Sequence, residues 1–192
     1  MAWFLEANSI TERWAYTDAA FNAEECSDLI KLALDSDSKT QAKTGTDPIL
    51  NNVRKGSVVW LDEKKEENFW VYRRCTDIIS NLNKKYFNYD LTFIETLQFT
   101  IYDETNDYYG MHVDNMYRGY GCRKLSFSVQ LSSEENYSGC ELKLYYENKP
   151  VTAPKNLGML IAFSSMVLHE VTPITKGTRY SLVGWVHGPK FK

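Results

Sequence analysis

The spacing of apolar residues changes near residue 90. Ahead of that point they recur three and four residues apart, the period of a helix with one buried face. Asn22 stands as an N-cap with Glu25 three residues on, the reciprocal pattern of a capping box. Leu29, Ile30, Ala33 and Leu34 continue the apolar stripe. A second helix is predicted from Asp62 through Glu63-Lys64-Lys65-Glu66-Glu67, with Cys75, Ile78, Ile79 and Leu82 as its buried face toward Phe87. The charged run reads as a solvated helix start with no functional role. Between the helices, Ser36 to Lys55 is rich in Ser, Thr, Lys, Asn, Gly and Asp. A loop of that length is either a lid over a site or a mobile surface segment, and the sequence leaves both open. Arg54 to Trp60 reads as a strand.

From Leu91 onward the pattern is one of short β segments. Strands are predicted over Leu91–Tyr102, Tyr109–Val113, Lys124–Leu131, Glu141–Tyr146, Met159–Phe163, Val167–Val171 and Tyr180–His187. Turn signals separate them at Asn106-Asp107, Arg118-Gly119, Ser138-Gly139, Asn148-Lys149-Pro150, Asn156-Leu157-Gly158 and Lys176-Gly177. That spacing predicts a β-sandwich or double-sheet jelly roll, mainly β, with the N-terminal α-helices covering one sheet. No repeat, linker or low-complexity segment divides the chain. The expectation is one domain over residues 1–192, with helical support to about residue 90 and the β core from about 91 to 187.

Composition narrows the class of protein. Hydrophobic residues make up 43 % and aromatic residues 14 %, which suits a globular chain. The net charge of −3 comes from interspersed charges and gives no signal for nucleic acid or an anionic membrane surface. No stretch is long and apolar enough to span a bilayer. Met1 to Glu6 lacks the basic start and apolar run of a signal peptide. Cys26, Cys75, Cys122 and Cys140 have no zinc-type or redox-type spacing, so they read as free thiols in a reducing, cytoplasmic setting, with Cys26 and Cys75 in helical core positions.

The chemistry concentrates in His112, Asp114, His169 and Arg179. The chain has three histidines, and two of them stand here. Residues i and i+2 of a strand share a face, so His112 and Asp114 can reach one metal from one strand, with His169 arriving from another. Two histidines and one carboxylate can cap one face of Fe(II) and leave positions open for small molecules. Zinc accepts the same ligands, and a satisfied structural histidine pair is the plain alternative. Arg179 favours iron. A hydrolytic zinc site has no obvious need of it, whereas a keto-acid cosubstrate carries a second carboxylate that a guanidinium fork can grip.

These residues lie within more specific words: Leu97-Gln98-Phe99-Thr100-Ile101-Tyr102, Tyr109-Gly110-Met111-His112-Val113-Asp114-Asn115, the block from Arg123 to Leu131, Tyr137-Ser138-Gly139-Cys140-Glu141-Leu142, His169 to Pro173, and Arg179 to Trp185. Over about Thr96 to Trp185 the chain resembles the 2-oxoglutarate- and Fe(II)-dependent dioxygenases of the prolyl 4-hydroxylase-like superfamily. The Arg123-to-Leu142 block is most like the bacterial and phage members. The resemblance implies a double-stranded β-helix supported by N-terminal helices. It also implies His112, Asp114 and His169 as iron ligands, and Arg179 as the residue that binds the distal carboxylate of 2-oxoglutarate. Tyr102 matches a tyrosine near the cosubstrate. Tyr109, Arg123 and Trp185 match peptide contacts of the hypoxia-sensing enzymes. Two departures stand out. Gly139-Cys140 replaces a frequent Gly-Gly, and Gln130 replaces a tyrosine that helps hold 2-oxoglutarate, its amide being a substitute donor. His187 matches no ligand position.

The implied cofactors are Fe(II), 2-oxoglutarate and O₂, with ascorbate as an optional addition. The implied reaction is hydroxylation of a C–H bond with release of succinate and CO₂. Asp114 occupies a coordination position that a halide would need, which favours hydroxylation over halogenation. The implied substrate is peptidyl proline, giving 4-hydroxyproline, so the expected partner is a proline-containing protein or peptide. Other protein side chains and small molecules stay open. So do a non-catalytic metal-binding protein on the same fold and a zinc hydrolase.

Overall fold

Asn22 opens the first helix as the sequence predicts. Its side chain accepts from the Glu25 N–H at 2.9 Å while the Glu25 carboxylate accepts from the Asn22 N–H at 2.8 Å. This satisfies two N–H groups that the first turn would leave orphaned. The helix, α1, spans Ala23–Leu34 and buries Cys26, Leu29 and Ala33. The computed structural model describes residues 12–36, 40–42, 53–115, 122–146 and 149–190. The expected lid between Ser36 and Lys55 falls mostly on residues 37–39 and 43–52, outside the described residues, as does the expected turn at Arg118-Gly119.

The second helix, α2, spans Phe69–Leu82 and starts later than the charge pattern predicts. Asp62 caps a turn, accepting from the Lys64 N–H at 2.9 Å, and its carbonyl accepts from the Asn68 side chain at 2.8 Å. Only a short 3₁₀ turn over Glu66–Asn68 precedes the helix. The charged run is therefore a lead-in whose backbone bonds are taken by Asp62. Past Leu82 the chain widens into a π turn over Asn83–Phe87 and ends at Asn88 in the left-handed region, φ 53°. Val71, Cys75, Ile79, Leu82 and Phe87 face the core.

The described residues form fifteen strands, numbered in chain order. They are β1 (Trp14–Thr17), β2 (Thr40–Gln41), β3 (Arg54–Lys55), β4 (Ser57–Leu61), β5 (Phe93–Ile94), β6 (Leu97–Tyr102), β7 (Tyr108–His112) and β8 (Cys122–Gln130). Then come β9 (Tyr137–Gly139), β10 (Leu142–Tyr146), β11 (Lys149–Thr152), β12 (Leu160–Ser164), β13 (Leu168–Val171), β14 (Ile174–Gly177) and β15 (Arg179–Gly188). The large sheet runs β1-β12-β8-β15-β6-β4-β2, with β5 also on β15. The smaller sheet runs β11-β10-β13-β7-β3, and β14 and β9 form a ribbon. The pairings are antiparallel. This is the mainly β jelly roll with supporting helices that the sequence predicts.

The helices pack on one face of the large sheet, where Leu29, Val71, Cys75, Ile79 and Phe87 meet Leu97, Phe99, Ile101, Leu125, Val129 and Leu182. Gly184 on β15 is required by close approach: a Cβ there would lie 2.3 Å from the Phe127 ring. The two sequence turns at Ser138-Gly139 and Lys176-Gly177 lie instead within the β9–β14 ribbon. Gly139, at φ 72°, lets the chain leave it beside Pro173. The single strand predicted over Leu91–Tyr102 is two strands, interrupted at Glu95-Thr96.

Candidate active site

β7 and β13 lie side by side in the smaller sheet and set His112 directly across from His169. Asp114 follows just past the end of β7. Its N–H and that of Asn115 donate to the Ser165 carbonyl at 3.0 and 2.9 Å, which fixes the connection. Each imidazole has Nδ1 on a backbone carbonyl two residues back: His112 on Gly110 at 2.8 Å, His169 on Val167 at 2.9 Å. Nε2 of both rings is thereby left to face the carboxylate. His112 Nε2 stands 3.5 Å from Asp114 Oδ1 and His169 Nε2 3.4 Å from Oδ2. The ligand atoms all lie within 4.8 Å of one another. Donors about 2 Å from a metal at right angles stand about 3 Å apart, so a small contraction closes this set on one ion.

The charge states suit a cation. Burial opposes ionisation of Asp114, yet the hydrogen bond from His112 and the field of His169 outweigh it and hold the carboxyl well below its usual range. Burial pushes His169 below the ordinary imidazole value, against the pull of Asp114, which favours the neutral ligand form. The rings are held from outside as well. Tyr109 stacks on His112 with centroids 3.5 Å apart, and Phe163 meets His169 edge-on at 4.7 Å.

The ligand set opens into a cavity between the two sheets, about 470 Å³ including its mouth. Arg179 lines it and is 1 % exposed. Among the described residues no carboxylate pairs with it. Its Nε and Nη2 donate to Gln130 Oε1 at 3.1 and 2.9 Å, and Nη1 points at the Cys140 sulfur at 4.0 Å. A buried guanidinium without a counter-charge is costly, so this end of the cavity suits an anion that the described residues do not supply. The hydroxyl of Tyr137 is buried against the Arg179 guanidinium and, among the described residues, has no acceptor for its own proton. It is a spare donor beside the same fork.

Of the residues singled out from the sequence, His112, Asp114, His169, Arg179, Tyr102, Tyr109 and Trp185 all line this cavity. Tyr102 pairs with Arg179 across β6 and β15, and burial pushes its hydroxyl up to about 12. Gln130 holds the guanidinium with its oxygen, which differs from the donor role expected of it. Arg123 lies outside the lining. It forms a two-point ion pair with Glu95 at 2.7 and 2.6 Å and sits 4.1 Å over the Trp185 ring. His187 also contacts Glu95 and stacks on Phe93. Sequence reasoning missed Tyr137 and Arg54. The first opens the word Tyr137 to Leu142 with no role read for it, and the second lies at the edge of a loop.

Residues 97–187 match the family model described as the 2OG-Fe(II) oxygenase superfamily. The match covers the β core, so that part of the chain is similar to the superfamily. The curated proteins that it is similar to include PKHD-type hydroxylases. One from Hyphomonas neptunium is 38 % identical over 84 residues, covering 42 % of this chain and 38 % of the relative. One from Prochlorococcus marinus (strain NATL2A) is 29 % identical over 165 residues, covering 76 % and 74 %. For the first of these the match spans well under two thirds of the relative's length. Among solved structures, a Pseudomonas putida prolyl-4-hydroxylase superposes with a TM-score of 0.74 at 20 % identity, covering 94 % of this chain and 95 % of that one. A Trichoplax adhaerens prolyl hydroxylase, in complex with a hypoxia inducible factor peptide fragment, superposes with a TM-score of 0.77 at 20 % identity, covering 92 % and 84 %. At this identity the two structures establish the fold. Among the described residues no helix is long and apolar enough to cross a membrane.

Proposed function

We propose that the protein is an Fe(II)- and 2-oxoglutarate-dependent dioxygenase that hydroxylates a substrate C–H bond, with peptidyl proline, converted to 4-hydroxyproline, as the first candidate. One observation carries the reading: a single cavity joins the His112–Asp114–His169 set to a fully buried Arg179 that has no acid partner among the described residues. His112 and His169 would hold the iron through Nε2 and Asp114 through its carboxylate. When bound, iron would activate O₂ as the oxidant, with 2-oxoglutarate as the two-electron co-reductant that leaves as succinate and CO₂. The chain's part is positioning and exclusion of water. Arg179 takes the distal carboxylate, with Gln130 fixing the guanidinium plane and Tyr137 offering a further donor. Phe127, Leu142, Phe163, Val171 and Val183 make dry walls, and Tyr109 and Trp185 flank the space left for substrate.

The proline assignment rests on similarity to prolyl hydroxylases and on these two aromatic walls. Ascorbate binding, a cytoplasmic setting and a single-domain chain belong to the same proposal. The four cysteines are buried and free, which suits a reducing compartment. Proline-containing peptides incubated with the iron-loaded protein and 2-oxoglutarate are expected to gain one oxygen by mass spectrometry. Oxygen-dependent succinate release with no mass gain on any such peptide would keep the oxygenase and remove proline.

A further inference from the structure

A second buried guanidinium, Arg54, shares the cavity, and neither the metal set nor the Arg179 pocket uses it. It stands on β3, the edge strand of the smaller sheet, directly across from Tyr109, and is 9 % exposed. Its contacts are thin. Nη1 donates to Gln98 Oε1 at 3.3 Å, the guanidinium carbon lies 4.6 Å from the centre of the Tyr109 ring, and Nε has no partner. The Gln98 amide nitrogen is already spent on Thr100 Oγ1 at 2.8 Å. Among the described residues no carboxylate pairs with Arg54. A guanidinium in this state is poorly compensated, and its free donors match the geometry of a carboxylate.

The two arginines have different partners. On β6 and β15, Tyr102 pairs with Arg179 and Gln98 with Val183. Arg179 is held by Gln130 and Arg54 by Gln98, and Tyr102 feels the charge of both. Tyr109 touches both Arg54 and His112, so Arg54 is one ring removed from a metal ligand.

We propose that Arg54 anchors a second carboxylate site, one that receives an acid group of the substrate close to the carbon that is hydroxylated. This rests on the oxygenase reading above and narrows its substrate class to acids. The carboxylate belongs either to the target itself, as in a free or C-terminal amino acid, or to an Asp or Glu beside the target in a peptide.

The test uses anaerobic protein loaded with Fe(II) and 2-oxoglutarate, titrated with two acid–amide pairs. They are N-acetyl-L-proline against N-acetyl-L-prolinamide, and Ac-Pro-Glu-NH₂ against Ac-Pro-Gln-NH₂. Binding is followed by perturbation of the visible charge-transfer band and by calorimetry. In at least one pair the acid is expected to bind roughly tenfold tighter than its amide. The preference is lost in Arg54→Gln and largely kept in Arg54→Lys. The pair that shows it identifies the source of the carboxylate. Equal binding within both pairs, no binding of either acid, or a preference that survives Arg54→Gln would overturn the site. The acid–amide comparison in the wild-type protein decides the matter even where Arg54→Gln does not fold. The band forms before any probe is added, so failure of the iron–keto-acid reading is seen separately.

Discussion

On β6, Leu97, Phe99 and Ile101 belong to the core beneath the helices, while Gln98, Thr100 and Tyr102 line the cavity. β15 repeats the alternation, with Leu182 and Val186 on the helix side and Arg179, Ser181, Val183 and Trp185 on the other. Both faces of the large sheet are buried, yet they do opposite things. The helix face is apolar, and among the described residues none of its buried side-chain nitrogen or oxygen atoms lacks a partner. The cavity face buries Arg179, Gln130 and Ser181 just as deeply, each at 1 % exposure, and gives the Arg179 charge no counter-ion among the described residues. One face holds the fold together. The other carries groups whose partners come from outside, which implies that stability and binding can be separated by mutation.

The largest expected effect is on the helix face. Phe99→Ala should cost about 3–5 kcal/mol in denaturant unfolding, while the fraction that remains folded still binds Fe(II) and 2-oxoglutarate. Loss of binding in protein that is still folded would show that the two faces are not separable. On the cavity face, Arg179→Met should weaken 2-oxoglutarate on the order of a hundredfold, because it leaves a buried carboxylate unpaired. Its melting temperature should be unchanged or higher, since removing a poorly compensated charge relieves the fold. A large fall in melting temperature would assign Arg179 to structure. Tyr137→Phe sharpens the contrast at smaller scale. One hydrogen bond to a charged group predicts roughly a tenfold weaker affinity for 2-oxoglutarate, and calorimetry at fixed metal should show it with little change in stability.

The smallest effect concerns the sheet edge. Burial opposes ionisation of Glu95, but its bonds from Arg123 and His187 prevail and lower its pKa from the ordinary value of 4.5. A lowered carboxyl stabilises the fold fully above that value, and the contribution is lost as pH falls through the folded-state value. Glu95→Gln should therefore flatten the acid side of the curve of melting temperature against pH and leave the slope near neutrality alone. An unchanged acid limb would show that the cluster contributes nothing.

How much of this was legible follows from the range of the signals. The capping box at Asn22 and Glu25 is local, and it reads directly. The alternation in β6, β8 and β15 is local too, and it gave the jelly roll. His112, Asp114 and Arg179 were visible because strand spacing and residue chemistry agree. The start of α2 was misplaced because Asp62 diverts the backbone bonds of the charged run into a turn. The break in the strand predicted over Leu91–Tyr102 depends on Glu95 reaching Arg123 and His187, a contact that no local pattern encodes. Gln130 was expected to face the cosubstrate, but only the assembled sheet shows its oxygen committed to Arg179. Arg54 and Tyr137 carry no signal of their own; each becomes informative only once its burial and unmatched atoms are seen.

The central claim is that one cavity binds iron and a keto acid together. Anaerobic titration of the protein with Fe(II) and 2-oxoglutarate, in wild type and Asp114→Ala, tests it most directly. The account predicts a saturable visible charge-transfer band in wild type that is absent from the variant. Well-folded wild-type protein that shows no band would contradict it.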